Sequence, residues 1–545
     1  TDVISRVNRL ATLWSGRAAS FREWYKLIRL TDDLKQADME LVISSDPRTG
    51  FNMASWLLTP RTPSFVVDTE GLSDVEATQT GPVEDYCNRE YLRVLRRTRG
   101  SLFGSLDKRL VNLMLATGWY SLISYPSQDG WGWAVWNPAT VYPEYDADGC
   151  LVAVGRRYTI SAAEATRKVA MSGWTPPPGA WGTRRLTVYN YWWLDLHPIT
   201  GEMAAWFSAV IGTHLAMPPV ASPFDCIPVR TGPVAGLPDD GSIMEDGKWR
   251  AEIGQSIVAA IMDIQKNYDK MLTYMQQLLR DTANPRWQEN AENPVAEPDK
   301  LFERGALFSY KPGEQGLSAI PTPPIPAEMR GHQLDIRSML QRGLFSDVTF
   351  GNVSMQISGF LMSQVTSASQ QILAPFHDAL MTALGDLATA NILFMRQYGM
   401  QMPGAAWPDL PDELDIDYHY DIQIPGDFIQ RANTARLLNP KYRLSQTTLT
   451  ELLFPEIKSS MIESSRLVAE DAIDDPLARQ VFIIREFRRS ANEARTVGDK
   501  DFAERLELIA RMKEQQLLGS AGQLPEPSST QRVPAAFGEL LRGEE

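Results

Sequence analysis

Four polar side chains that alternate with apolar residues near position 420 are the strongest candidates for a metal site. They are Asp415, Asp417, His419 and Asp421. Carboxylates and imidazoles are common ligands of divalent ions. Alternate strand residues, however, lie about 6.6 Å apart and rarely converge on one ion without ligands from elsewhere. We therefore expect one strand over 414–424 with a solvated polar face, and no metal site.

A glycine-bounded segment at residues 241–248, GSIMEDGK, is the nearest approach to a phosphate-binding loop. That motif needs four residues between its glycines and a Ser or Thr after the lysine, because the hydroxyl holds magnesium. Here five residues lie between the glycines, and Trp249 follows Lys248. We expect a turn before a helix at this point, and no nucleotide site.

Acid–base catalysis needs carboxyl groups or histidines in a defined geometry. Acidic residues cluster at 470–475, but a charge run of this kind usually lies in water. The histidines form neither a His-x-x-x-His pair nor a triad spacing, and we expect structural roles for His197, His214, His332, His377 and His419. Enzyme signatures are therefore missing from the sequence. This favours a structural or mechanical role that uses no cofactor.

Tryptophan is concentrated between Trp119 and Trp206, where nine of the fifteen residues of this type lie. Trp131, Trp133 and Trp136 could stack on sugars or bases. Large aromatic side chains are more often buried, so we expect this group to pack a small β-region against the N-terminal helices, with Trp136 on the opposite strand face. A virion protein that binds carbohydrate through this Trp-rich region remains an alternative function.

Composition and charge exclude several other classes of protein. The chain has 545 residues, of which 43% are hydrophobic and 22% charged, so it can bury a sizeable core in three or four structural units. The net charge of −14 argues against tight, non-specific DNA binding by the whole surface. Three cysteines are too few for a disulfide framework or a zinc site, and they fit a reducing compartment.

No membrane or targeting segment is evident in the sequence. The first residues lack a basic stretch followed by an apolar run. The longest purely apolar stretches are far shorter than the roughly 20 residues that a membrane span requires. We therefore expect a soluble protein that is made in a cytoplasm.

The first half of the chain is predicted to be helical and then β-rich. Apolar residues at three- and four-residue spacing indicate helices up to about residue 125. One helical block covers about 84–115, with Leu102 at an apolar position, and Gly118 stops it. Between 119 and 230 we expect short strands, with an Asp-Gly hairpin turn at 146–149. The strands are predicted at 131–142, 151–160 and 186–194.

The second half is predicted to contain unusually long helices. Apolar residues from Ile253 to Leu278 step by three or four, which indicates a helix of about 30 residues, roughly 45 Å long. A very long helix ends near Gly399, and Pro375 should kink it because proline removes a backbone hydrogen bond. The other segments are a Pro-rich part at 283–326, a helix at 327–344, a polar loop at 346–358, helices over 427–518 and a tail at 519–545.

This order of elements resembles that of the portal proteins of tailed bacteriophages, over most of the chain. NPATVYPEYDADGCLVAVGRRYTIS, at 137–161, is similar to the strand–turn–strand of the portal wing. DGKWRAEIGQSIVAAIMDIQKNYDKMLTYMQQLLRDT, at 246–282, is similar to the first stem helix. SMLQRGLFSDVTFGNVSMQISGFLMSQVTSASQQI, at 338–372, is similar to the second stem helix, the tunnel loop and the start of the long wing helix.

The resemblance implies an α+β, predominantly helical subunit with a wing, stem, clip and crown, long stem and wing helices and a small Trp-rich β-region. Carried over by position, the parts are the wing at 1–245 and 359–430, the stem at 246–282 and 327–345, the clip at 283–326, the tunnel loop at 346–358, the crown at 431–518 and the C-terminal tail at 519–545.

In that family the subunits form a homo-oligomeric ring, usually a dodecamer, at one vertex of the capsid. Double-stranded DNA passes through the ring during packaging and ejection. The terminase motor docks on the clip, and head-completion or tail adaptor proteins dock later. The resemblance thus implies a non-enzymatic virion protein, assembled in the host cytoplasm, that contacts these partners and the major capsid and scaffolding proteins, but no membrane.

The resemblance also assigns residues to sites. The tunnel loop would line the narrowest part of the channel with Asp347, Thr349, Asn352, Ser354 and Gln356. DNA-facing cations of the stem would be Lys266, Lys270, Arg337 and Arg342, for which ion pairs between neighbouring stem helices are the alternative. Clip docking would use Arg286, Trp287, Glu303 and Arg304.

Physical arguments from the sequence agree with this picture. Each cation that faces a phosphate adds an attraction through counterion release, so an acidic protein avoids an adhesive DNA path. The first stem helix carries more apolar positions than an isolated helical hairpin can bury, which predicts an obligate ring. The alternatives are a DNA-processing enzyme of a phage, another virion structural protein and another, shorter type of ring connector.

Overall fold

A computed structural model describes part of the chain. The described residues are 2–31, 40–60, 63–69, 71–73, 76, 79–127, 130–179, 181, 185–222, 224–237, 249–283, 287–290, 315–319, 327–345, 359–402, 407–408, 410–411, 414–420, 422, 484–485, 487–488 and 505–513. The chain divides into two compact units, residues 1–424 and 425–545. The described parts of the second unit are helical, and its segment at 505–513 buries Leu506 and Ala510. Most of the predicted crown and all of the tail lie outside the described residues.

In the described ranges before residue 118, five helices form as the apolar spacing predicts, and a short strand at 64–67 interrupts them. They are α1 (Asp2–Leu13), α2 (Ser15–Ile28), α3 (Asp46–Leu58), α4 (Gly81–Thr98) and α5 (Leu106–Thr117). The predicted block over 84–115 was wrong in one respect, because a loop at 99–105 separates α4 from α5. Gly104 turns this loop with a φ of +81°, and Leu102 is 92% exposed. Gly118 ends α5 in the left-handed region, as predicted.

Two antiparallel sheets follow these helices. Three strands pair in the order β3-β2-β9, and five form a meander in the order β4-β5-β6-β7-β8. Their bounds are β2 (Trp119–Ser127), β3 (Gly130–Val135), β4 (Val141–Tyr145), β5 (Leu151–Ile160), β6 (Leu186–Leu196), β7 (Met203–Ile211), β8 (His214–Ala221) and β9 (Val229–Pro233). The helix α6 (Ala162–Ser172) lies between β5 and β6 in the chain.

The β-region departs from prediction at one place. The expected strand at 131–142 is divided between β3 and β4 by a 3-10 turn at Pro138–Thr140. The Asn137 side chain stabilises this turn by accepting a hydrogen bond from the N–H of Ala139. The hairpin turn at 146–149 is confirmed, because Gly149 has a φ of +84° and Asp146 Oδ1 accepts the N–H of Cys150 at 2.7 Å.

Long helices dominate the rest of the first unit. The elements are α7 (Trp249–Glu252), α8 (Met262–Ala283), β10 (Trp287–Asn290), β11 (Gln315–Ala319), α9 (Ala327–Gly343), α10 (Gly359–Gln397) and β12 (Ile416–His419). β10 pairs with β11, and β12 pairs with β1 (Ser64–Val67). Pro375 lies inside α10, whereas the kink at that residue stays a prediction.

The first predicted stem helix is shorter than expected, with 22 residues in place of about 30. The residues at its predicted start instead form backbone hydrogen bonds with distant segments of the chain. The N–H of Gln255 donates to Val234 O at 2.9 Å, and the N–H of Ile257 donates to Leu115 O at 3.1 Å. A helix needs those groups for bonds to the preceding turn, so it begins only at Met262. The strand predicted over 414–424 is likewise shorter, covering Ile416–His419.

One large hydrophobic core joins the N-terminal helices, β2 and β3, and the second half of α10. Two smaller clusters lie within the β-region. All strand pairs of the described residues are antiparallel. The described part of the chain therefore has a mixed α+β fold.

Candidate functional site: the α8 and α9 helices

One side of α8 is anchored by buried polar groups. Asp269 is 2% exposed, and its Oδ1 accepts hydrogen bonds from Gln265 Nε2 and from the N–H of Ser44, both at 2.9 Å. Thr273 Oγ1 accepts the N–H of Val42 at 3.1 Å. These bonds hold the chain that leads into α3 against α8. Burial of paired groups of this kind fixes the position of a helix more specifically than apolar contact does.

The helix α9 packs against α8 within the same chain. Its buried face consists of Ile336 and Leu340, and Leu344 continues that face beyond the end of the helix. Gly343 permits a close approach, since a Cβ at this position would lie 2.5 Å from Cγ2 of Ile261. A larger residue at 343 would force the two segments apart.

Both helices also carry exposed apolar side chains. On α8, Tyr274 is 43% and Leu279 is 51% exposed. On α9, Leu334 is 67% and Met339 is 51% exposed. These four side chains are the apolar residues of the two helices that another molecule would cover.

The predicted stem cations do not form one group. Lys266 Nζ lies 3.6 Å from Glu23 Oε2, so the ion pair that it makes reaches α2 and not the neighbouring stem helix. Lys266 and Lys270 line a cleft of about 240 Å³ between the end of α2 and α8. Arg337 and Arg342 are exposed on α9 and do not line that cleft.

The other predicted site residues fall mainly outside the described residues. This holds for the whole tunnel loop, including Asp347, Thr349, Asn352, Ser354 and Gln356, and for Arg286, Glu303 and Arg304 of the clip. Trp287 begins β10, where its backbone pairs with that of Ala319. The GSIMEDGK segment and the acidic cluster at 470–475 also lie outside the described ranges.

Three of the four candidate metal ligands lie on or beside a solvated strand face, as expected, and Asp421 lies outside the described residues. Asp415, Asp417 and His419 are exposed, whereas Ile416 and Tyr418 between them are buried. His419 Nε2 is 3.8 Å from Asp417 Oδ2. Within the described ranges, no three His, Cys, Asp or Glu side chains come close enough together to hold a metal ion.

Three of the histidines contact the backbone around them, which agrees with structural roles. His214 Nε2 is 3.0 Å from Thr175 O, and His377 Nε2 is 2.9 Å from Tyr420 O. His197 Nδ1 accepts the N–H of Thr200 at 3.3 Å, in the turn between β6 and β7.

The expected burial is confirmed for Trp133 and Trp136, whereas Trp192, Trp193 and Trp206 of the same region are only partly buried. Trp133 is 5% and Trp136 is 7% exposed, and they belong to different hydrophobic clusters. The ring of Trp133 contacts those of Phe65 and Tyr91. A glycan platform built on Trp133 or Trp136 therefore lacks an accessible face. The side chain of Trp131 lies outside the description.

Sequence reasoning missed a buried polar cluster formed by Tyr91, Asp107 and Tyr418. The Tyr91 hydroxyl donates to Asp107 Oδ1 at 2.5 Å, and the two tyrosine hydroxyl oxygens are 2.8 Å apart. Burial raises the pKa of the Asp107 carboxyl to about 6, although the hydrogen bond from Tyr91 opposes this rise. No local motif could have indicated the cluster, since Tyr418 is 327 residues from Tyr91.

A buried arginine was also missed. Arg17 is 2% exposed, and its guanidinium carbon lies 4.3 Å from the ring centroid of Trp14 and 4.4 Å from that of Trp119. It donates hydrogen bonds to the carbonyl oxygens of Val141 and Pro138, which ties α2 to the start of β4. Burial lowers the pKa of Arg17 to about 10, so the guanidinium stays charged at neutral pH.

None of the helices in the described ranges combines the length and the apolarity of a membrane span.

Comparisons with known proteins give little more. No protein-family model and no curated protein matches the sequence. Among solved structures, a chain from the neck of a native GTA particle, computed with C12 symmetry, is similar with a TM-score of 0.34. The similarity covers 75% of this chain and 99% of that chain, at 14% sequence identity. A likeness at this level carries no argument about the fold or the activity of this chain.

Proposed function

We propose that this chain is the subunit of a portal ring, through which double-stranded DNA enters and leaves a phage capsid. The order of elements from α8 to α10 carries the proposal. A helix of 22 residues, a pair of short antiparallel strands, a helix of 17 residues and a helix of 39 residues follow one another. This order agrees with the stem, clip, stem and wing order that the sequence resemblance implies, and it supports the proposal.

The surface of α8 and α9 supports assembly into a ring. Polar bonds at Asp269 and Thr273 fix one side of α8, while Leu279 and Leu334 are more than half exposed. A folded chain that leaves such residues uncovered gains stability when a neighbouring copy buries them, at roughly 25 cal/mol per Å² of apolar surface. When two different surfaces meet, such a contact repeats from copy to copy and closes into a ring if the rotation between copies permits it.

The charge of the chain suits a channel that DNA slides through. At −14 per copy, a ring repels phosphates over most of its surface. Lys266 is held by Glu23 at 3.6 Å, which weakens its attraction for a phosphate. The candidate DNA contacts of the stem are the four predicted cations, Lys266, Lys270, Arg337 and Arg342.

The proposed role is structural, without catalysis and without a cofactor. In this role about twelve copies stand at one capsid vertex, and the ring serves packaging and ejection. Terminase docks on the clip first, and head-completion or tail adaptor proteins follow. Major capsid and scaffolding proteins surround the wing.

Negative-stain electron microscopy of the purified full chain tests the proposal. We expect rings with a central hole when particles are viewed along the axis, and a mass by light scattering near twelve times 61.0 kDa. Leu279→Gln combined with Leu334→Gln should reduce the ring fraction at least ten-fold. Leu237→Gln, at a 53% exposed site outside α8 and α9, is the matched control and should leave it unchanged.

Two results would contradict the proposal. One is a monomer of 61.0 kDa that persists at micromolar concentration with no larger species. The other is a particle without a hole. An ATP hydrolysis or nuclease activity of the purified chain would favour the alternative of a DNA-processing enzyme.

A further inference from the structure

One segment of this acidic chain is strongly basic. Residues 89–109 contain six arginines and one lysine against two acidic residues, a net charge of +5, so the other 524 residues carry −19. The segment covers the second half of α4, the loop at 99–105 and the start of α5. We call the exposed part of this segment the arginine surface.

The arginine surface combines a net positive charge with exposed apolar side chains. Leu92, Leu102 and Phe103 are 43%, 92% and 58% exposed. The two acidic residues neutralise little of the exposed charge, because Glu90 is paired with Arg93 at 2.7 Å and Asp107 is buried.

The loop at the centre of this surface is held in a defined shape. The guanidinium of Arg109 lies 4.6 Å from the ring centroid of Phe103. Ser101 Oγ donates to Gly104 O at 2.6 Å, and the positive φ of Gly104 turns the chain. The loop therefore presents Leu102 and Phe103 without a large loss of conformational entropy on binding.

A second surface of the same chain is complementary to the first. The tip of the β6–β7 hairpin, residues 195–203 with the sequence DLHPITGEM, has two acidic residues and no Lys or Arg. Its apolar side chains are uncovered, with Leu196, Ile199 and Met203 at 59%, 87% and 48% exposure. We call it the hairpin tip.

The hairpin tip is also ordered before it binds. The N–H of His197 donates to Glu202 O at 2.7 Å, which closes the turn. The ring of His197 stacks on Trp206, and Trp206 stacks on Trp193, with centroid separations of 6.3 and 6.1 Å. The stack fixes the direction in which the tip leaves the sheet.

We propose that the hairpin tip of one copy docks on the arginine surface of the next copy. Both surfaces are exposed, so they do not cover each other within one chain. They carry opposite charges, and each has three exposed large apolar side chains. The basic side is dominated by arginines and includes the exposed Phe103, and both residue types are enriched at protein interfaces.

The proposed contact joins two different surfaces and is therefore heterologous. A heterologous contact repeats from one copy to the next and closes a ring when the rotation between copies permits it. The inference rests on the proposed function in that it assumes a ring, and it adds the identity of the surfaces that meet.

Cysteine cross-linking in the assembled full chain tests the contact. The background variant Cys150→Ser removes the exposed native thiol. Leu102→Cys and Ile199→Cys are then introduced together. Under mild oxidation we expect disulfide-linked dimers, trimers and longer chains on a non-reducing gel. Each single variant should remain uncross-linked.

Leu102→Cys with Met171→Cys is the matched control, because Met171 is 78% exposed but lies on α6, outside both surfaces. This control pair should not form the ladder. Dimers formed by either single variant would overturn the proposal, since they indicate a symmetric contact. Rings in negative stain without cross-links from the Leu102–Ile199 pair would also overturn it, and they would leave the portal function standing. A wild-type chain that forms no ring contradicts both.

Charge reversal gives an independent test. Arg96→Glu with Arg97→Glu should reduce the ring fraction at least ten-fold, and mixing this variant with Asp195→Arg plus Glu202→Arg should restore mixed assemblies. Arg167→Glu with Arg185→Glu, at exposed sites elsewhere, should have no effect. If the Arg96 and Arg97 variant still forms rings but loses binding to a 30-base-pair duplex or to phosphatidylserine vesicles, the surface serves DNA or lipid and the proposal is wrong.

Discussion

The N-terminal core and the α8–α9 pair use apolar residues in opposite ways. In the core, Trp119 is 0% exposed and packs edge-on against Trp14 at 5.2 Å. In the α8–α9 pair, Leu279 and Leu334 are more than half exposed although both helices are well formed. The core is therefore buried within one chain, whereas Leu279 and Leu334 stay exposed in it and would be covered by a neighbouring copy in the proposed ring.

Removing a core aromatic should have the largest effect on the stability of the chain. Trp119→Ala deletes a fully buried side chain and should lower the free energy of unfolding by about 4 kcal/mol. Trp56→Ala, at a 44% exposed site, should cost less than about 1 kcal/mol. Tryptophan fluorescence in a denaturant titration follows the first unit alone, because all fifteen tryptophans precede residue 425.

The same measurement defines the outcome that would count against this contrast. If Trp56→Ala and Trp119→Ala destabilise the chain equally, the core is not the source of its stability.

A close backbone approach should give the next largest effect. Gly118 has a φ of +66°, and a Cβ there would lie 2.4 Å from the backbone of Gln255. Gly173 has a φ of +64°, but nothing lies within 4 Å of its Cβ position. Gly118→Ala should cost about 3 kcal/mol and Gly173→Ala about 1 kcal/mol, since only the first adds a steric clash to the left-handed conformation.

The difference between the two glycine variants isolates the contact with residues 253–257, which delays the start of α8. If both variants lose the same free energy of unfolding in thermal or denaturant experiments, residues 253–257 shift away from the added methyl group at no measurable cost in stability.

The buried Asp107 should make the stability of the core depend on pH. Its pKa is raised by burial from 3.8 to about 6, so the folded chain binds the proton more tightly than the unfolded chain. The stabilisation of the folded chain by the protonated carboxyl is therefore fully present below the pKa of the unfolded state, and it is lost as the pH rises to about 6. Tyr91 and Tyr418, which also lie in the cluster, stay protonated over this range because burial raises the pKa of both hydroxyls.

Asp107→Asn removes this titration. The free energy of unfolding of the variant, relative to that of wild type, should therefore be higher at pH 7 than at pH 4, by on the order of 2 kcal/mol. Unfolding curves of both proteins at each pH give the difference. Asp417→Asn, which makes the same chemical change at an exposed site, is measured beside it as the control. A difference for Asp107→Asn that does not change with pH would contradict the raised pKa.

The smallest effect on the isolated chain is expected at the α8–α9 surface. Leu334→Gln, at a 67% exposed site, should change the free energy of unfolding by less than about 0.5 kcal/mol. Leu340→Gln on the same helix is 5% exposed and should cost about 2 kcal/mol or more. A large loss for Leu334→Gln in a dilute, monomeric sample would show that this residue already serves the fold of a single chain.

The sequence predicts features that depend on local spacing. It places the long helix that contains Pro375, the turn at 146–149 and the left-handed end of α5 at Gly118, because periodicity and glycine or proline chemistry act over a few residues. It fails where distant segments compete for backbone groups. The N–H of Ile257 bonds to Leu115 O, 142 positions earlier, and this removes the predicted first turns of α8.

The candidate site follows the same rule. The helical identity of α8 and α9 could be predicted, but the partner of Lys266 could not, because Glu23 comes from a helix 243 positions earlier. The contact of Tyr91 with Tyr418 was hidden for the same reason. The tunnel loop and most of the clip lie outside the described residues, so their predicted roles stay predictions.

The helix α10 has a mechanical consequence. With 39 residues it is about 58 Å long, and its last turns are fully buried at Phe394 and Leu387. When one end of a stiff helix is held by the core, a displacement of its other end is transmitted as a small rotation of the held end. Strain applied to the first turns of α10 would thus reach β12, which packs along the same helix, and with it the tyrosine hydroxyls beside Asp107.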